Sequence, residues 1–506
     1  MAHWDGWTPE QAVTLFCQAA VQLDLIDRED LDYSVNLVLA QLDLDAPQEA
    51  ASLTPILEIA DHLVDIAVAR GLCEDSPEAR ERFSARLFGL VTPGPRAVRE
   101  CFLHHEQQDG PQAATDWFYR LCRANDYIRT RRIAENIRYH ADTPAGELEI
   151  TINLSKPEKD PKDIAAQRLA RSVSYPKCML CRENPGYAGR PGYPARQNHR
   201  IIPIPLAGET WYFQYSPYLY YDEHCIVLNA QHVPMKMTGQ SFERMFDFVD
   251  RFSHYFIGSN ADLPIVGGSI LTHDHFQGGR YTFPMERAER WFTFDTGVAG
   301  ITGEALRWPM TCLRLRGEDR HALSALMQRV LAAWRVHSDE QLGILARTKA
   351  GHNAVTPVVR KEKDAYVVYL LLRNNRTTEE HPLGLFHPHQ ERHHIKKENI
   401  GLIEAMGLFI LPGRLKKELA QVQDFLLRGT ALPPDTPHRI WVGELMGRLP
   451  KGLDDKSAEA FLRDEVARVC HDVLVDTGVY QQDEQGMAGL KRFLNDVGLK
   501  PQKESK

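Results

Sequence analysis

Hydrophobic residues recur at the spacing of an α-helix through the first third of the chain. Ile56, Ile59, Leu63 and Ile66, for example, all fall on one helical face. Two further stretches of this kind begin directly after a threonine–proline or a serine–proline pair, and proline suits the first position of a helix. We therefore predict that residues 1–145 are helical, and we find no catalytic motif in them.

The period of the pattern changes near residue 147. Residues 147–154 alternate polar and apolar side chains, which predicts a half-buried strand. The same criteria predict further strands at 211–215, 223–229, 266–277 and 365–372 and further helices at 241–255 and 323–334. From residue 396 onward the pattern is helical again. The predicted fold class is therefore α+β, with helical segments at both ends of a mixed central region.

The composition is that of an ordinary globular protein. Of the 506 residues, 43% are hydrophobic and 25% are charged, which is enough apolar material for a core. Lysine and arginine number 60 against 68 acidic residues, and the net charge of −8 argues against binding to nucleic acid, which needs a basic surface. No apolar run is long enough to span a membrane, and the N-terminus lacks a secretory signal. The mostly scattered cysteines favour a reducing cytoplasm.

The most informative motif lies at residues 271–279, which read Leu-Thr-His-Asp-His-Phe-Gln-Gly-Gly. Alternate residues of a strand point to the same face, so His273, His275 and Gln277 are expected to lie side by side. Three polar groups on one face are costly to bury without partners, and a ligand, a metal or a substrate would satisfy them. The alternative is that carbonyl groups or water satisfy histidines with a purely structural role.

The residue types of this motif suit nucleotide chemistry. A neutral imidazole is a good nucleophile near neutral pH and could attack the α-phosphorus of a nucleotide. The resulting phosphoramidate is reactive enough to pass the nucleotidyl group on. Gln277 could donate a hydrogen bond to a phosphoryl oxygen, and the glycines after it would allow a close approach of the backbone.

A second motif is the pair Cys178-x-x-Cys181. In a reducing compartment this pair could be half of a metal site, a redox pair or a coincidence. Zinc needs about four ligands. The candidates for the other two are His232 and His273, with His224 as a rival for the third position.

Several segments together resemble one enzyme family. His273-x-His275-x-Gln277 is similar to the active-site strand of the nucleotidylyltransferase branch of the histidine-triad superfamily. With this motif, the segments at 175–184, 195–203, 260–270 and 372–384 resemble, in order, the class II galactose-1-phosphate uridylyltransferases of bacteria. The resemblance is clear over roughly residues 120–415 and weaker toward both ends.

This resemblance implies a UDP-glucose–hexose-1-phosphate uridylyltransferase, which exchanges UMP between UDP-glucose and galactose 1-phosphate in galactose metabolism. It implies that His275 carries the uridylyl group, that Gln277 holds a phosphoryl oxygen and that the kinetics are ping-pong. The residues expected around the substrates, from the resemblance and from the match between guanidinium and phosphate, are Arg196, Arg200, Asn260, Ser269, Arg373 and Arg376.

A structural zinc ion is also implied. In related enzymes the first histidine of the active-site strand can bind metal while the second attacks. Carried over to this chain, the resemblance implies a zinc site formed by Cys178, Cys181, His232 and His273.

The resemblance further implies a homodimer and two related halves of histidine-triad type with helical extensions. The expected division is a helical N-terminal region at 1–145, a catalytic half at 146–295, a second half contributing to the sugar-phosphate site at 296–395 and a helical C-terminal region at 396–506.

Other interpretations stay open at this point. The same chemistry would serve a nucleotide hydrolase or a dinucleotide phosphorylase, although the long flanking segments disfavour both. A non-catalytic nucleotide-binding protein could keep the fold, but the intact His275 and Gln277 argue against it. The histidine-rich segment 381–394 could suggest a second metal centre. It has no cysteines, and the resemblance favours a contribution to the sugar-phosphate site instead.

Overall fold

The computed structural model describes residues 6–155, 174–268 and 270–502. Its helices are α1 (Pro9–Gln22), α2 (Leu31–Leu42), α3 (Ile56–Ala69), α4 (Pro77–Leu90), α5 (Pro95–Asp109), α6 (Pro111–Ala124), α7 (Thr130–Ala134), α8 (Gly239–Arg251), α9 (Arg320–Val336), α10 (Leu402–Ala405), α11 (Leu415–Arg428), α12 (Arg439–Met446), α13 (Asp455–Thr477) and α14 (Glu484–Val497). None of these helices combines the length and the apolar composition needed to cross a lipid bilayer.

The strands form two sheets. They are β1 (Ile137–Thr143), β2 (Gly146–Asn153), β3 (Ile202–Leu206), β4 (Glu209–Tyr215), β5 (Cys225–Asn229), β6 (Phe256–Gly258), β7 (His275–Gly279), β8 (Arg290–Asp295), β9 (Thr302–Leu306), β10 (Cys312–Gly317), β11 (Asn353–Glu362), β12 (Ala365–Asn374), β13 (Leu408–Pro412) and β14 (Lys500–Pro501). The large sheet has eleven strands in the order β14-β8-β9-β10-β12-β11-β6-β7-β5-β4-β3, and the small one has the order β1-β2-β13.

Polar residues and prolines set the starts of the first helices. Thr8 caps α1, because its side chain accepts from the backbone N–H of Gln11 while the Gln11 side chain reaches back to the Thr8 N–H. Ser76 caps α4 in a similar way, through the N–H of Ala79. These starts agree with the positions that the threonine–proline and serine–proline pairs predict.

The large sheet contains one arrangement twice. In the first half β3, β4 and β5 are neighbours, α8 follows β5, and β7 inserts between β5 and β6. In the second half β8, β9 and β10 are neighbours, α9 follows β10, and β12 inserts between β10 and β11. The halves meet where β6 and β11 pair antiparallel. This repeat confirms the expectation of two related mixed halves, which the hydrophobic pattern alone does not reveal.

The two faces of the large sheet pack into different cores. One face, which includes Phe276 and Leu370, packs against the N-terminal helices and against α8, α9 and α14. The other face, which includes Leu371, packs against the small sheet and the helices α10 to α13. Alternate residues of one strand therefore serve separate layers.

Three strands lie in regions predicted to be helical: β1, β13 and the short β14, which pairs antiparallel with β8. β1 pairs antiparallel with β2, and β13 pairs parallel with β2 on its other side. The predictions of helix throughout 1–145 and 396–506 are therefore wrong at these strands. The Leu-Phe-Ile-Leu-Pro run of β13 is short and continuously apolar, and periodicity does not distinguish such a strand from a buried helical turn.

The strand predicted at 266–277 is also shorter than expected. β7 begins only at His275, and the described residues before it form turns and one isolated bridge. His273 therefore lies outside the strand, and the prediction that it shares a strand face with His275 and Gln277 is wrong. The other strands and helices predicted for the central region are confirmed to within a few residues at their ends.

Candidate active site

A cleft of about 810 Å³ opens between the first half of the large sheet and the small sheet. His275 and Gln277 of β7 line one side of it. The ends of β2 and β13 and the segment 396–404 line the other side. Residues from distant parts of the chain thus surround the motif that the sequence singles out.

His275 is held in one orientation by its own backbone neighbourhood. Its Nδ1 lies 2.8 Å from the carbonyl oxygen of His273, and a carbonyl only accepts hydrogen bonds. Nδ1 therefore carries the proton, which leaves the lone pair of Nε2 as the free nitrogen of the neutral ring. Burial lowers the pKa of His275 to about 4.

Gln277 is two residues further along the same strand and shares the cleft face with His275. Its Oε1 lies 3.1 Å from Nε2 of His224, the residue directly before β5. The strands β5 and β7 pair antiparallel, with Ile226 opposite Gln277, which brings the start of β5 beside the motif of His275 and Gln277. His224, a rival zinc ligand in the sequence prediction, thus contacts Gln277 instead.

Gly278 allows this strand to pack closely against its neighbour. A Cβ atom at this position would lie 2.6 Å from the carbonyl oxygen of Phe256 on β6 and 3.1 Å from Sγ of Cys225. Any side chain here would push β7 away from both neighbouring strands. The glycine predicted to permit a close backbone approach does so within the sheet.

Cys178, Cys181, His232 and His273 form a cluster beside the cleft. One ligand atom from each residue lies within 4.8 Å of all the others. The two sulfur atoms are 3.7 Å apart, Nδ1 of His273 is 3.3 Å from Sγ of Cys178, and Nδ1 of His232 is 3.2 Å from Sγ of Cys181. Tetrahedral zinc with ordinary bond lengths would place two sulfurs about 3.8 Å apart and a sulfur and a nitrogen about 3.6 Å apart. The four residues therefore fit a metal ion, and the structure brings together the set expected from the sequence.

Neighbouring groups hold this cluster in shape. Nε2 of His273 lies 2.9 Å from the carbonyl oxygen of Asn229, which leaves Nδ1 for the cluster. The buried Asn184 donates through Nδ2 to the carbonyl oxygens of Cys178 at 3.0 Å and of Cys181 at 2.7 Å. Its Oδ1 accepts from the hydroxyl of Tyr193 at 2.7 Å. Such outer contacts usually orient the ligands of a metal site.

Asn260 reaches the cleft, as expected for a substrate contact. Its Oδ1 accepts a hydrogen bond of 2.8 Å from the backbone N–H of Leu402, which ties the segment directly after β6 to the far side of the cleft. Ser269, the other residue expected to contact the nucleotide, lies outside the described residues.

Arg196 and Arg200 do not line the cleft. The guanidinium of Arg200 is buried and donates to four backbone carbonyl groups, those of Thr92, Pro93, Gln197 and His199. The guanidinium of Arg196 lies over the ring of Tyr127, 5.5 Å from its centroid. Both guanidinium groups thus have partners within the fold, and the phosphate contact expected from their residue type stays a prediction.

Arg373 and Arg376 are also absent from the cleft wall. Arg373 is buried and donates through Nη2 to the carbonyl oxygen of Ile400 at 2.7 Å, so it lies behind the segment 396–404. Arg376 donates to the carbonyl oxygen of Gly343 at 2.6 Å. Arg373 thus supports a wall of the cleft without forming its surface.

Sequence reasoning missed the charged residues on the far side of the cleft. Nζ of Lys396 lies 3.1 Å from Oε1 of Glu404 and 3.7 Å from Oε2 of Glu398. Burial disfavours the charge of Lys396, but the two carboxylates outweigh it and raise its pKa. No local pattern marks these residues, because a lysine and two glutamates among polar neighbours resemble an exposed segment.

The histidine-rich segment forms no second metal cluster among the described residues. Nε2 of His387 lies 3.2 Å from Oδ1 of Asn399, which lines the cleft, and the ring of His381 stacks on that of His389 at 4.3 Å. The segment therefore contacts the cleft wall through the hydrogen bond between His387 and Asn399.

Two family models match the chain. The model "Galactose-1-phosphate uridyl transferase, N-terminal domain" matches residues 26–234, and the model "Galactose-1-phosphate uridyl transferase, C-terminal domain" matches residues 248–441. Together they span most of the chain and include every residue of the cleft described above.

Individual relatives match over nearly their whole length. A galactose-1-phosphate uridylyltransferase of Caldanaerobacter subterraneus subsp. tengcongensis is 44% identical over 95% of this chain and 96% of its own length. One of Streptococcus pneumoniae is 47% identical over 93% of this chain and 96% of its own length. One of Clostridium perfringens is 44% identical over 95% of this chain and 97% of its own length. Among solved structures, the yeast Ap4A phosphorylase Apa2 gives a TM-score of 0.31 and 13% identity over 65% of this chain and 96% of that one.

Proposed function

The chain belongs to the galactose-1-phosphate uridylyltransferase family, and we propose that it exchanges a uridylyl group between UDP-glucose and galactose 1-phosphate through a covalent intermediate on His275. The observation that carries this proposal is the hydrogen bond of 2.8 Å from Nδ1 of His275 to the carbonyl oxygen of His273. It fixes the tautomer in which Nε2 is the nucleophile, on a residue that lines the cleft.

In the first step, Nε2 of His275 attacks the α-phosphorus of UDP-glucose. A bond from nitrogen to phosphorus forms, and the bond from that phosphorus to the bridging oxygen breaks. Glucose 1-phosphate leaves with the bridging oxygen and its electron pair. The amide of Gln277, two residues along the strand, donates to a phosphoryl oxygen as charge shifts onto it.

In the second step, a phosphate oxygen of galactose 1-phosphate attacks the same phosphorus. The new oxygen–phosphorus bond forms as the nitrogen–phosphorus bond breaks, which gives UDP-galactose and returns His275 to its neutral state. Because the first sugar phosphate leaves before the second arrives, one cleft serves both half-reactions. Water must be excluded from the intermediate, since its attack would turn the transfer into hydrolysis.

The far side of the cleft supplies groups for the sugar phosphate. The cation of Lys396 suits a phosphate, and the carboxylates of Glu398 and Glu404 suit sugar hydroxyl groups. Asn260 and Asn399 add side-chain amides to the lining. We propose that Arg373 acts indirectly, through the Ile400 carbonyl, on the position of this wall.

Zinc is the metal that the Cys/His cluster suits best. Two thiolates and two imidazoles at tetrahedral spacing are a frequent zinc-ligand set, and four protein ligands leave no open position for catalysis. Bound there, zinc would orient the backbone on which His273 and His275 stand. Metal analysis of the purified protein by mass spectrometry tests this, with one zinc per chain expected and none in Cys181→Ala.

Isotope exchange tests the proposed reaction. UDP-glucose and labelled glucose 1-phosphate are incubated with the enzyme without any galactose 1-phosphate. A covalent uridylyl intermediate predicts that label enters UDP-glucose, because the first half-reaction is reversible on its own. Direct transfer between two bound sugar phosphates predicts no exchange.

Two variants complete this experiment. His275→Ala should abolish the exchange. His254→Ala is a matched control, since His254 is a half-buried histidine that contacts Thr115 outside the cleft, and it should keep the exchange. Release of free UMP without exchange would instead indicate a hydrolase.

The remaining expectations stay predictions. The repeat of five strands from β3 to β7 and from β8 to β12 supports a division between the two central halves near residue 295. A homodimer and a cytoplasmic location are predicted from the family resemblance and from the cysteine pattern.

A further inference from the structure

We propose that His224 is a positioning residue that keeps the amide N–H group of Gln277 directed at the phosphoryl group in transfer. His224 does so by donating a hydrogen bond to the amide oxygen of Gln277. This inference rests on the proposed function, because it assigns a task within the uridylyl-transfer step.

The surroundings of His224 hold its ring firmly. The residue is 2% exposed and lines the cleft. Its ring packs against Tyr221, with centroids 4.5 Å apart, and against Tyr220 at 5.4 Å. Nε2 lies 3.1 Å from Oε1 of Gln277. Among the described residues the imidazole therefore has one polar partner, and the two tyrosine rings leave it little freedom to find another.

The position of the proton on His224 follows from this burial. Nδ1 is buried and has no hydrogen-bond partner among the described residues. A proton on Nδ1 would leave a buried N–H unpaired, which costs more than leaving a lone pair unpaired. Burial also lowers the pKa of His224 to about 4, so the ring is neutral and carries a single proton. That proton lies on Nε2 and is donated to Gln277.

Gln277 needs a hydrogen-bond donor such as His224 to fix the orientation of its amide. Its amide has two orientations of nearly the same shape, and they present opposite dipoles to the cleft. With the oxygen bound to His224, the N–H group faces the substrate and stabilises negative charge on a phosphoryl oxygen. With the amide reversed, the carbonyl oxygen would face the phosphoryl oxygen and repel it. His224 thus selects the orientation that favours transfer.

A double-mutant cycle tests this role. The rate of glucose 1-phosphate release from UDP-glucose is measured in a single turnover for His224→Phe, Gln277→Leu and the double variant. Phenylalanine keeps the packing on the tyrosines but removes the donor. We expect about a 10²-fold loss for Gln277→Leu and at least a tenfold loss for His224→Phe. In the Gln277→Leu background, His224→Phe should cause little further loss, because no amide remains to be oriented.

Three controls keep this outcome specific. His224→Gln can still donate to the amide oxygen and should recover part of the rate. The affinity for UDP-glucose should change less than about threefold in His224→Phe, since the contact matters most when charge develops. His254→Phe, the loss of a histidine away from the cleft, should have the same small effect in both backgrounds.

Several results would overturn the proposal. Equal losses from His224→Phe with and without the Gln277 amide would mean a general structural effect, as would a change in substrate affinity alone. Failure of the wild-type protein to release glucose 1-phosphate at all would instead refute the proposed function, so the two failures are distinct.

Discussion

The two halves of the large sheet share one strand order but use the same face in different ways. In the second half, β12 directs Val367, Tyr369 and Leu371 into the core beneath the C-terminal helices. In the first half, β7 directs His275 and Gln277 to that side, and the cleft opens there. The topologically equivalent strand is thus core in one half and active site in the other.

This difference shows that the topology places a strand at the same position in each half, and that the side chains of the strand decide whether it forms core or a functional site. The first half also holds the Cys/His cluster, whereas the described residues of the second half form no comparable cluster. The second half contributes through stability and through the segment after β12, which returns to the cleft at residues 396–404. Each half can therefore be changed separately.

The largest effect is expected from His275→Ala in the first half. The rate of UDP-galactose formation should fall by at least about 10⁴-fold, because no other group takes over the nucleophile's role. The thermal unfolding midpoint should stay close to that of the wild type. Steady-state assays and calorimetry measure the two quantities. Retention of a tenth of the rate would remove His275 from the mechanism.

Leu371→Ala in the second half should have the opposite profile. Leu371 is fully buried, so its truncation should lower the free energy of unfolding by about 2–5 kcal/mol. The transfer rate per folded molecule should be unchanged. Chemical denaturation and an active-site titration separate these quantities. A loss of rate in fully folded protein would show that the halves are not separable.

Asn184→Ala tests whether the Cys/His cluster of the first half binds a metal ion. Loss of the two bonds to the cysteine carbonyls should weaken metal binding about 10- to 100-fold, as seen for other outer-shell contacts. Competition with a chromogenic chelator measures the affinity. Asn353→Ala is the matched control in the second half, since its Nδ2 also donates to two carbonyls, those of Trp334 and His337. Equal weakening in both variants would contradict the assignment.

The smallest effect concerns His254, which lies three residues after the end of α8 in the first half. Burial, reinforced by the charge of Arg280, lowers its pKa from 6.5 to about 4. Between pH 6.5 and pH 4 the unfolded chain therefore binds a proton at this histidine that the folded chain does not. The free energy of unfolding consequently falls as the pH decreases through this range. His254→Gln should make this dependence shallower by up to about 1.4 kcal/mol per pH unit. Denaturation curves at several pH values measure this dependence. The same slope of the free energy of unfolding against pH in wild type and variant would contradict the prediction.

The residues of the site that lie close together in the sequence could be predicted from it. His275 and Gln277 stand two residues apart on one strand, and Cys178 and Cys181 share one turn, so spacing alone brings each pair together. The prediction that His273 shares a strand face with His275 and Gln277 failed, because its side chain turns toward the Cys/His cluster and the strand begins only after it.

The residues on the far side of the cleft could not be predicted from the sequence. Lys396 and Glu404 reach the cleft because β13 joins the small sheet, and that strand was predicted as helix. Arg200 and Arg373 have the residue type of phosphate ligands, but backbone carbonyls bind both guanidinium groups. Such internal partners depend on tertiary packing, which leaves no local signature in the sequence.

Intact-mass spectrometry of the protein incubated with UDP-glucose alone tests the central claim most directly. Covalent transfer through His275 predicts an added mass of one uridylyl group, mapped by peptide analysis to His275 and lost when galactose 1-phosphate is added, with UDP-galactose as the product. No adduct in folded, metal-loaded protein that still forms UDP-galactose, or an adduct on another residue, would contradict covalent transfer through His275.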